Sequence, residues 1–155
     1  YRGIQAHPEI EAVAFHPPFK DHLFFVYTGR KQSSAESLRS FDPKKVPLLL
    51  TDKISRLTCG MLHANSLDAF QKIMKEHERI TAQATGRVPI QEMSFADFNG
   101  SVKSLGAWGG DFLMAASSLA AAEVQNYFHF RDCGPVIPYD EMVLNPNHTY
   151  PEVPG

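Results

Sequence analysis

The stretch Lys103-Ser104-Leu105-Gly106-Ala107-Trp108-Gly109-Gly110-Asp111 leads directly into an apolar run, Phe112 to Ala116. Its three glycines lack a Cβ, so they adopt positive φ at little cost and can turn successive N–H groups toward an anion. The lysine at its start adds a compact positive charge nearby. This pattern predicts a phosphate-binding loop followed by a buried strand. The alternative is a tight turn that only leads into that strand.

Two familiar nucleotide motifs do not fit this stretch. A Walker loop ends in Gly-Lys-Ser/Thr, and the dinucleotide fingerprint lies between a strand and a helix, whereas here the predicted strand follows the glycines. Trp108 is the only tryptophan and stands among glycines, so it is interpreted either as the wall of a pocket or as a lid over the edge of the sheet.

The rest of the chain alternates strand and helix patterns. Around Leu67 to Ile80, apolar residues recur every three or four positions, which indicates an amphipathic helix capped near Ser66. Further strands are predicted over 10–15, 21–28, 111–116, 136–139 and 142–144, and further helices over 33–41, 46–62 and 117–128. This order predicts an α+β fold, a ferredoxin-like two-layer sandwich with helices on one face of a mainly antiparallel sheet.

Charge and composition narrow the range of partners. The 155 residues carry a formal net charge of −2 and form no basic patch, so nucleic acid is not an expected partner. No apolar run approaches the roughly 20 residues of a membrane span, and we expect a cytoplasmic protein without membrane association. The seven histidines form no HxxxH or HExxH pair, which disfavours a metal site. His77, on the apolar helix stripe, is either a ligand or base or a hydrogen-bonded residue at the edge of the core.

Residues 23–38 and 103–116 together resemble the C-terminal half of GHMP kinases, a superfamily of small-molecule kinases. The family motif Lys-x-x-Gly-Ala-x-Gly-Gly is matched by Lys103, Gly106, Ala107, Gly109 and Gly110, and Trp108 replaces a residue that is commonly glycine. Closer similarity to the GYDIA-type subgroup comes from Phe-Lys-Asp, Gln-Ser-Ser, His-Glu and Tyr-Asp-Glu-Met. The resemblance extends from about residue 15 to 144.

The resemblance implies the substrate side of an ATP-dependent kinase for mevalonate-type acceptors, whose hydroxyl or phosphate it phosphorylates. Residues 21–145 would form the C-terminal domain, 1–20 the end of a preceding domain or a connecting segment, and 146–155 an irregular tail. The nucleotide loop, metal ligands and catalytic residues belong to the family's N-terminal half, so we expect ATP and Mg²⁺ to bind there. Substrate or phosphate would contact Lys103, Ser104, Gly106, Ala107, Trp108, Gly109, Gly110 and Asp111.

Without its N-terminal partner, such a half is expected to have almost no activity, because phosphoryl transfer needs the whole set of positioning and charge-neutralising groups. It is also expected to expose apolar surface and to form homo-oligomers. A second hypothesis is that the chain is not part of an enzyme. It would then be a non-catalytic ferredoxin-like module that binds a small anion or dimerises.

Overall fold

A computed structural model of the chain describes residues 13, 15–29, 46–106 and 111–143. Its strands are β1 (Leu23–Tyr27), β2 (Ser101–Ser104), β3 (Phe112–Ala116) and β4 (Val136–Pro138). Its helices are α1 (Leu48–Leu62), α2 (Leu67–Thr85), α3 (Ile90–Ser94), α4 (Ala121–His129) and α5 (Tyr139–Met142), with a short 3-10 helix at Lys20–His22. The predicted helix at 33–41 and the tail at 146–155 lie outside the described residues.

The four strands form one antiparallel sheet in the order β2-β3-β1-β4. Leu23 pairs with Ala116 and Phe25 with Met114 across β1 and β3, while Phe25 also pairs with Ile137 of β4. Two strand–helix–strand crossovers interleave in this order, which is the ferredoxin-like arrangement. The α+β class and the antiparallel sheet predicted from the sequence are confirmed.

Alternate side chains of β1 enter two apolar clusters on opposite faces of the sheet. Phe24 and Val26 lie in the first cluster with Phe128 of α4, whereas Leu23 lies in the second with Phe70 and Met74 of α2. Since side chains of a strand alternate between the two faces of its sheet, α4 packs on one face and α2 on the other. This placement corrects the expectation that the helices lie on one face of the sheet, because both faces of β1 are apolar and each is buried.

Helix α2 is the best specified element of the chain. At the start of α2 the Ser66 side chain accepts a hydrogen bond from the Ala69 N–H at 3.3 Å, and Gly86 ends the helix in the left-handed conformation at φ 67°. Phe70 and Met74 follow the predicted four-residue spacing and are buried against the sheet. No helix in the described parts of the chain combines the length and the apolar character needed to cross a bilayer.

One predicted helix start and two predicted strands differ from the structure. Helix α4 begins at Ala121 rather than at Ser117, because the Ser117 hydroxyl donates to the Asn99 carbonyl at 2.6 Å and accepts from the Leu119 N–H at 3.1 Å. Tyr139 to Met142 forms a helical turn instead of a strand, with acidic residues in its first turn where they favour the helix dipole. Of the predicted strand at 10–15, only Val13 and Phe15 are described, and neither lies in a strand.

Candidate anion-binding site

The glycine-rich stretch connects β2 to β3. Lys103 and Ser104 are the last residues of β2 and pair with Met114 and Leu113 of β3. The Leu105 N–H then donates to the Phe112 carbonyl at 3.1 Å, which extends the ladder to the root of the loop. Asp111 stands at the other root, where its carbonyl accepts from the Thr28 N–H at 2.8 Å. The structure therefore brings Lys103, Ser104, Gly106 and Asp111 to one end of the hairpin, while residues 107–110 lie outside the described part.

A strand precedes the glycines as well as following them, which corrects the expectation drawn from the sequence. Strand β2 was missed because Ser101-Val102-Lys103-Ser104 contains a single apolar residue and lies at the edge of the sheet. The dinucleotide fingerprint remains a poor match, because β3 follows the loop where that motif requires a helix.

Position 106 favours glycine because of its backbone conformation, and not because a Cβ would clash with a neighbouring atom. Its φ is +68°, in the left-handed region, and a Cβ built there would meet no atom within 4 Å. A residue with a side chain would fit the space but would carry the strain of positive φ. Gly106 therefore adopts a positive φ, as the glycines of this stretch were expected to do, and the predicted role in anion binding stays a prediction.

Lys103 points back toward helix α2. Its ammonium lies 3.4 Å from the Glu78 carboxylate and donates to the Ser104 carbonyl at 3.0 Å. The Lys103 side chain is 13% exposed and that of Glu78 only 2%. Burial lowers the pKa of Lys103, and the Glu78 carboxylate opposes this effect. Lys103 is therefore a buried, paired cation at the end of β2.

Glu78 has a second contact that fixes its carboxylate. Its Oε1 atom accepts a hydrogen bond from the Ile90 N–H at the start of α3, at 3.3 Å. The sequence contained a signal for this placement, because Phe70, Met74 and Glu78 are spaced by four residues and so share one face of α2. Glu78 was missed because a carboxylate on an apolar stripe is an unusual core residue.

His77 lies on α2, on the side that contacts α1. Its Nε2 is 3.2 Å from the Thr58 hydroxyl and its Nδ1 is 3.2 Å from the Thr81 hydroxyl. Burial first, and then the nearby charge of Lys103, lower the pKa of His77 to about 4. The imidazole is thus neutral at pH 7, and its two hydroxyl partners identify it as a hydrogen-bonded residue at the edge of the core.

A groove of about 520 Å³ runs along the outer edge of β2, between α2 and α3. Gln91 forms part of its lining and bonds to the strand edge: its Nε2 donates to the Gly100 carbonyl at 3.1 Å, and its Oε1 accepts from the Val102 N–H at 3.0 Å. Lys72 and Arg79 also line the groove, but their charges are paired with Asp68 and Glu76 on the same helix. Two of the basic side chains that line the groove are therefore paired within α2 itself.

Within the described ranges, no three or more His, Cys, Asp or Glu side chains come together in a way that could hold a metal ion. The fold and the hairpin together define a ferredoxin-like α+β domain with a candidate anion-binding loop between β2 and β3. Comparisons with protein-family models, with curated proteins and with solved structures gave no match.

Proposed function

We propose that this chain is the substrate-side domain of an ATP-dependent metabolite kinase of the GHMP type, and that the 105–111 loop binds phosphate. The observation that carries the proposal is the position of the Lys103 ammonium. It is held 3.0 Å from the Ser104 carbonyl, at the root of a loop whose first glycine has positive φ. The ferredoxin-like strand order is the one that the resemblance to GHMP kinases implies.

In phosphoryl transfer, such a domain would mainly position the substrate and compensate its negative charge. Backbone N–H groups of the loop would contact phosphate oxygens, and the Lys103 ammonium would offset their negative charge in a partly dry environment. The residue types of the loop support anion binding, because its sequence places a lysine beside three glycines. In this proposal an N-terminal domain holds ATP and Mg²⁺, and the acceptor is a small molecule of the mevalonate type.

Two glycines with matched backbone geometry provide the test. Gly106 and Gly86 have φ values of +68° and +67°, and a Cβ at either position would meet nothing within 4 Å. Gly106→Ala and Gly86→Ala should therefore each cost about 1–2 kcal/mol of stability through positive φ. Only Gly106→Ala should weaken the binding of inorganic pyrophosphate to the chain, by about tenfold, which corresponds to about 1.4 kcal/mol.

Binding is measured by titration calorimetry and stability by urea unfolding. Loss of pyrophosphate affinity in both variants, or in neither, would contradict the proposed role of the loop.

A second candidate function, an interaction or dimerisation module, is favoured by apolar exposure. Phe130 is 84% exposed, and Leu48 and Leu49 at the start of α1 are 83% and 78% exposed. Exposed apolar side chains contribute to an interface with another chain when they form a continuous patch, and the neighbouring pair Leu48 and Leu49 is the starting point for such a patch. A kinase domain that lacks its partner half would share this feature, so pyrophosphate binding, and not oligomeric state, separates the two candidates.

A further inference from the structure

We infer that the outer face of α1 binds the same face of a second copy of this chain, with the two helices antiparallel. This inference does not depend on the proposed function. The outer face consists of five exposed side chains that recur at intervals of four and three residues along the helix: Leu48, Asp52, Ser55, Cys59 and Leu62. This spacing is that of the seam between two helices of a coiled coil.

The opposite face of α1 contacts α2. Lys53 forms an ion pair with Glu76 of α2 at 2.8 Å, and the Thr58 hydroxyl lies 3.2 Å from Nε2 of His77. Met61, near the end of α1, packs against the apolar cluster on the α2 side of the sheet. The outer face therefore remains open to solvent in the described structure.

The outer face is symmetric about Ser55. Leu48 and Leu62, both exposed, stand at its two ends, at equal distances along the chain from Ser55. In a two-fold symmetric interface, residue i of one copy contacts residue j of the other, and j contacts i. Antiparallel pairing about Ser55 therefore places the leucine at the start of each helix beside the leucine at the end of the other.

The charges of α1 favour the antiparallel direction. Asp52 and Arg56 lie one helical turn apart, and among the described residues neither takes part in an ion pair, whereas the neighbouring Lys53 does. With the two-fold axis at Ser55, Asp52 of one copy lies about 3 Å along the helix axis from Arg56 of the other. Parallel helices would instead place like charges together, which is unfavourable.

Small side chains at the middle of the outer face allow two helices to approach each other. The Ser55 hydroxyl donates to the Thr51 carbonyl at 3.0 Å, so its hydrogen bond is kept when the face is buried. Cys59 is a second small side chain on this face. The 15-residue helix gives a contact about 22 Å long, which is small for an interface, so we expect a weak, concentration-dependent dimer.

Charge reversal tests the pairing. Asp52→Arg and Arg56→Asp each place like charges across the interface and should each weaken self-association about tenfold in sedimentation equilibrium. An equimolar mixture of the two variants should recover the native affinity, because every arginine of one variant then faces an aspartate of the other. Lys75→Asp reverses an exposed charge on α2 and is the control, which should associate like the native chain.

A second measurement locates the two-fold axis. In a chain whose two cysteines are replaced by serine, Ser55→Cys should be cross-linked to its own copy by a short bismaleimide, because the two thiols lie opposite each other. Lys75→Cys in the same background is the control and should be cross-linked much more slowly.

Three results in sedimentation would overturn the inference: a native chain that stays monomeric, reversal variants that associate as strongly as the native chain, or a mixture that associates no better than its components. Cross-linking at position 75 as fast as at position 55 would also overturn it. Pyrophosphate binding decides the proposed function separately.

Discussion

The buried, neutral imidazole of His77 makes the stability of the fold depend on pH. In an unfolded chain a histidine binds its proton near pH 6.5, whereas burial and the Lys103 charge hold the pKa of folded His77 at about 4. Between these values the unfolded state binds more protons than the folded state. The contribution of His77 to the free energy of unfolding is therefore fully present above pH 6.5 and is lost as the pH falls toward 4.

We expect the free energy of unfolding, measured with urea, to be lower at pH 5 than at pH 7 because of His77. His77→Gln keeps hydrogen-bonding capacity near Thr58 and Thr81 but cannot titrate, so it should remove much of this difference. Glu76 does not interfere, because Arg79 and Lys53 lower its pKa from 4.5 to about 2 and its effect begins below pH 5. An unchanged difference between pH 5 and pH 7 in His77→Gln would show that other groups cause it.

The residues of the site were only partly predictable. The glycine pattern predicted a turn at Gly106 with Lys103 close to it, because a local conformational requirement depends on local sequence. The direction of the Lys103 side chain was not predictable, because it depends on the packing of α2 against β2, and Glu78 lies 25 residues away along the chain. Contacts of this kind come from the tertiary fold.

At the scale of elements, the outer edge of β2 is covered by a side chain instead of a strand. The Gln91 amide bonds to the Gly100 carbonyl and the Val102 N–H, as a neighbouring strand would. Unpaired edge groups are a template for association with other chains. A single residue of α3 therefore bonds to two backbone groups at the edge of the sheet beside the candidate site.

Gln91→Ala should open this edge locally. We expect a loss of about 1–2 kcal/mol, from two hydrogen bonds, and faster hydrogen exchange at the Val102 amide. The Leu105 amide, which bonds to Phe112 of β3, should exchange more slowly than the Val102 amide in the variant. Mass spectrometry or NMR of exchange measures both sites, with Glu92→Ala as the control for an exposed neighbour on α3. Equal protection of Val102 in all three proteins would argue against the edge-covering role.

Elements with strong apolar patterns were predicted well. Helix α2 and strands β1 and β3 combine periodic or continuous apolar residues with clear boundaries, and their observed limits lie close to the expected ones. Strand β2 and helix α5 were not predicted, since β2 is largely polar and Tyr139 to Met142 contains too few residues for a helical period to be visible. Short elements take their structure from the surfaces around them.

The whole molecule presents apolar side chains at separate places. Helix α1 has no buried residue and contacts mainly α2, so its first turn, with Leu48 and Leu49, is open to another chain. We expect a concentration-dependent dimer or larger species in light scattering. Leu48→Ser with Leu49→Ser should shift this equilibrium toward the monomer, while Val88→Ser, at another exposed apolar position, serves as the control. A strictly monomeric native chain at high concentration would exclude this association.

The position of β1 in the sheet has a consequence for the order of synthesis. Leu23 pairs with Ala116 on one side of β1, and Phe24 pairs with Pro138 on the other. The ribosome therefore releases the apolar segment Leu-Phe-Phe-Val-Tyr long before either partner strand exists. Until then the segment has no strand to pair with, and exposed apolar segments of this kind promote aggregation of a growing chain. We expect the nascent polypeptide to depend on chaperones over this interval and to close its sheet only after β4 has emerged.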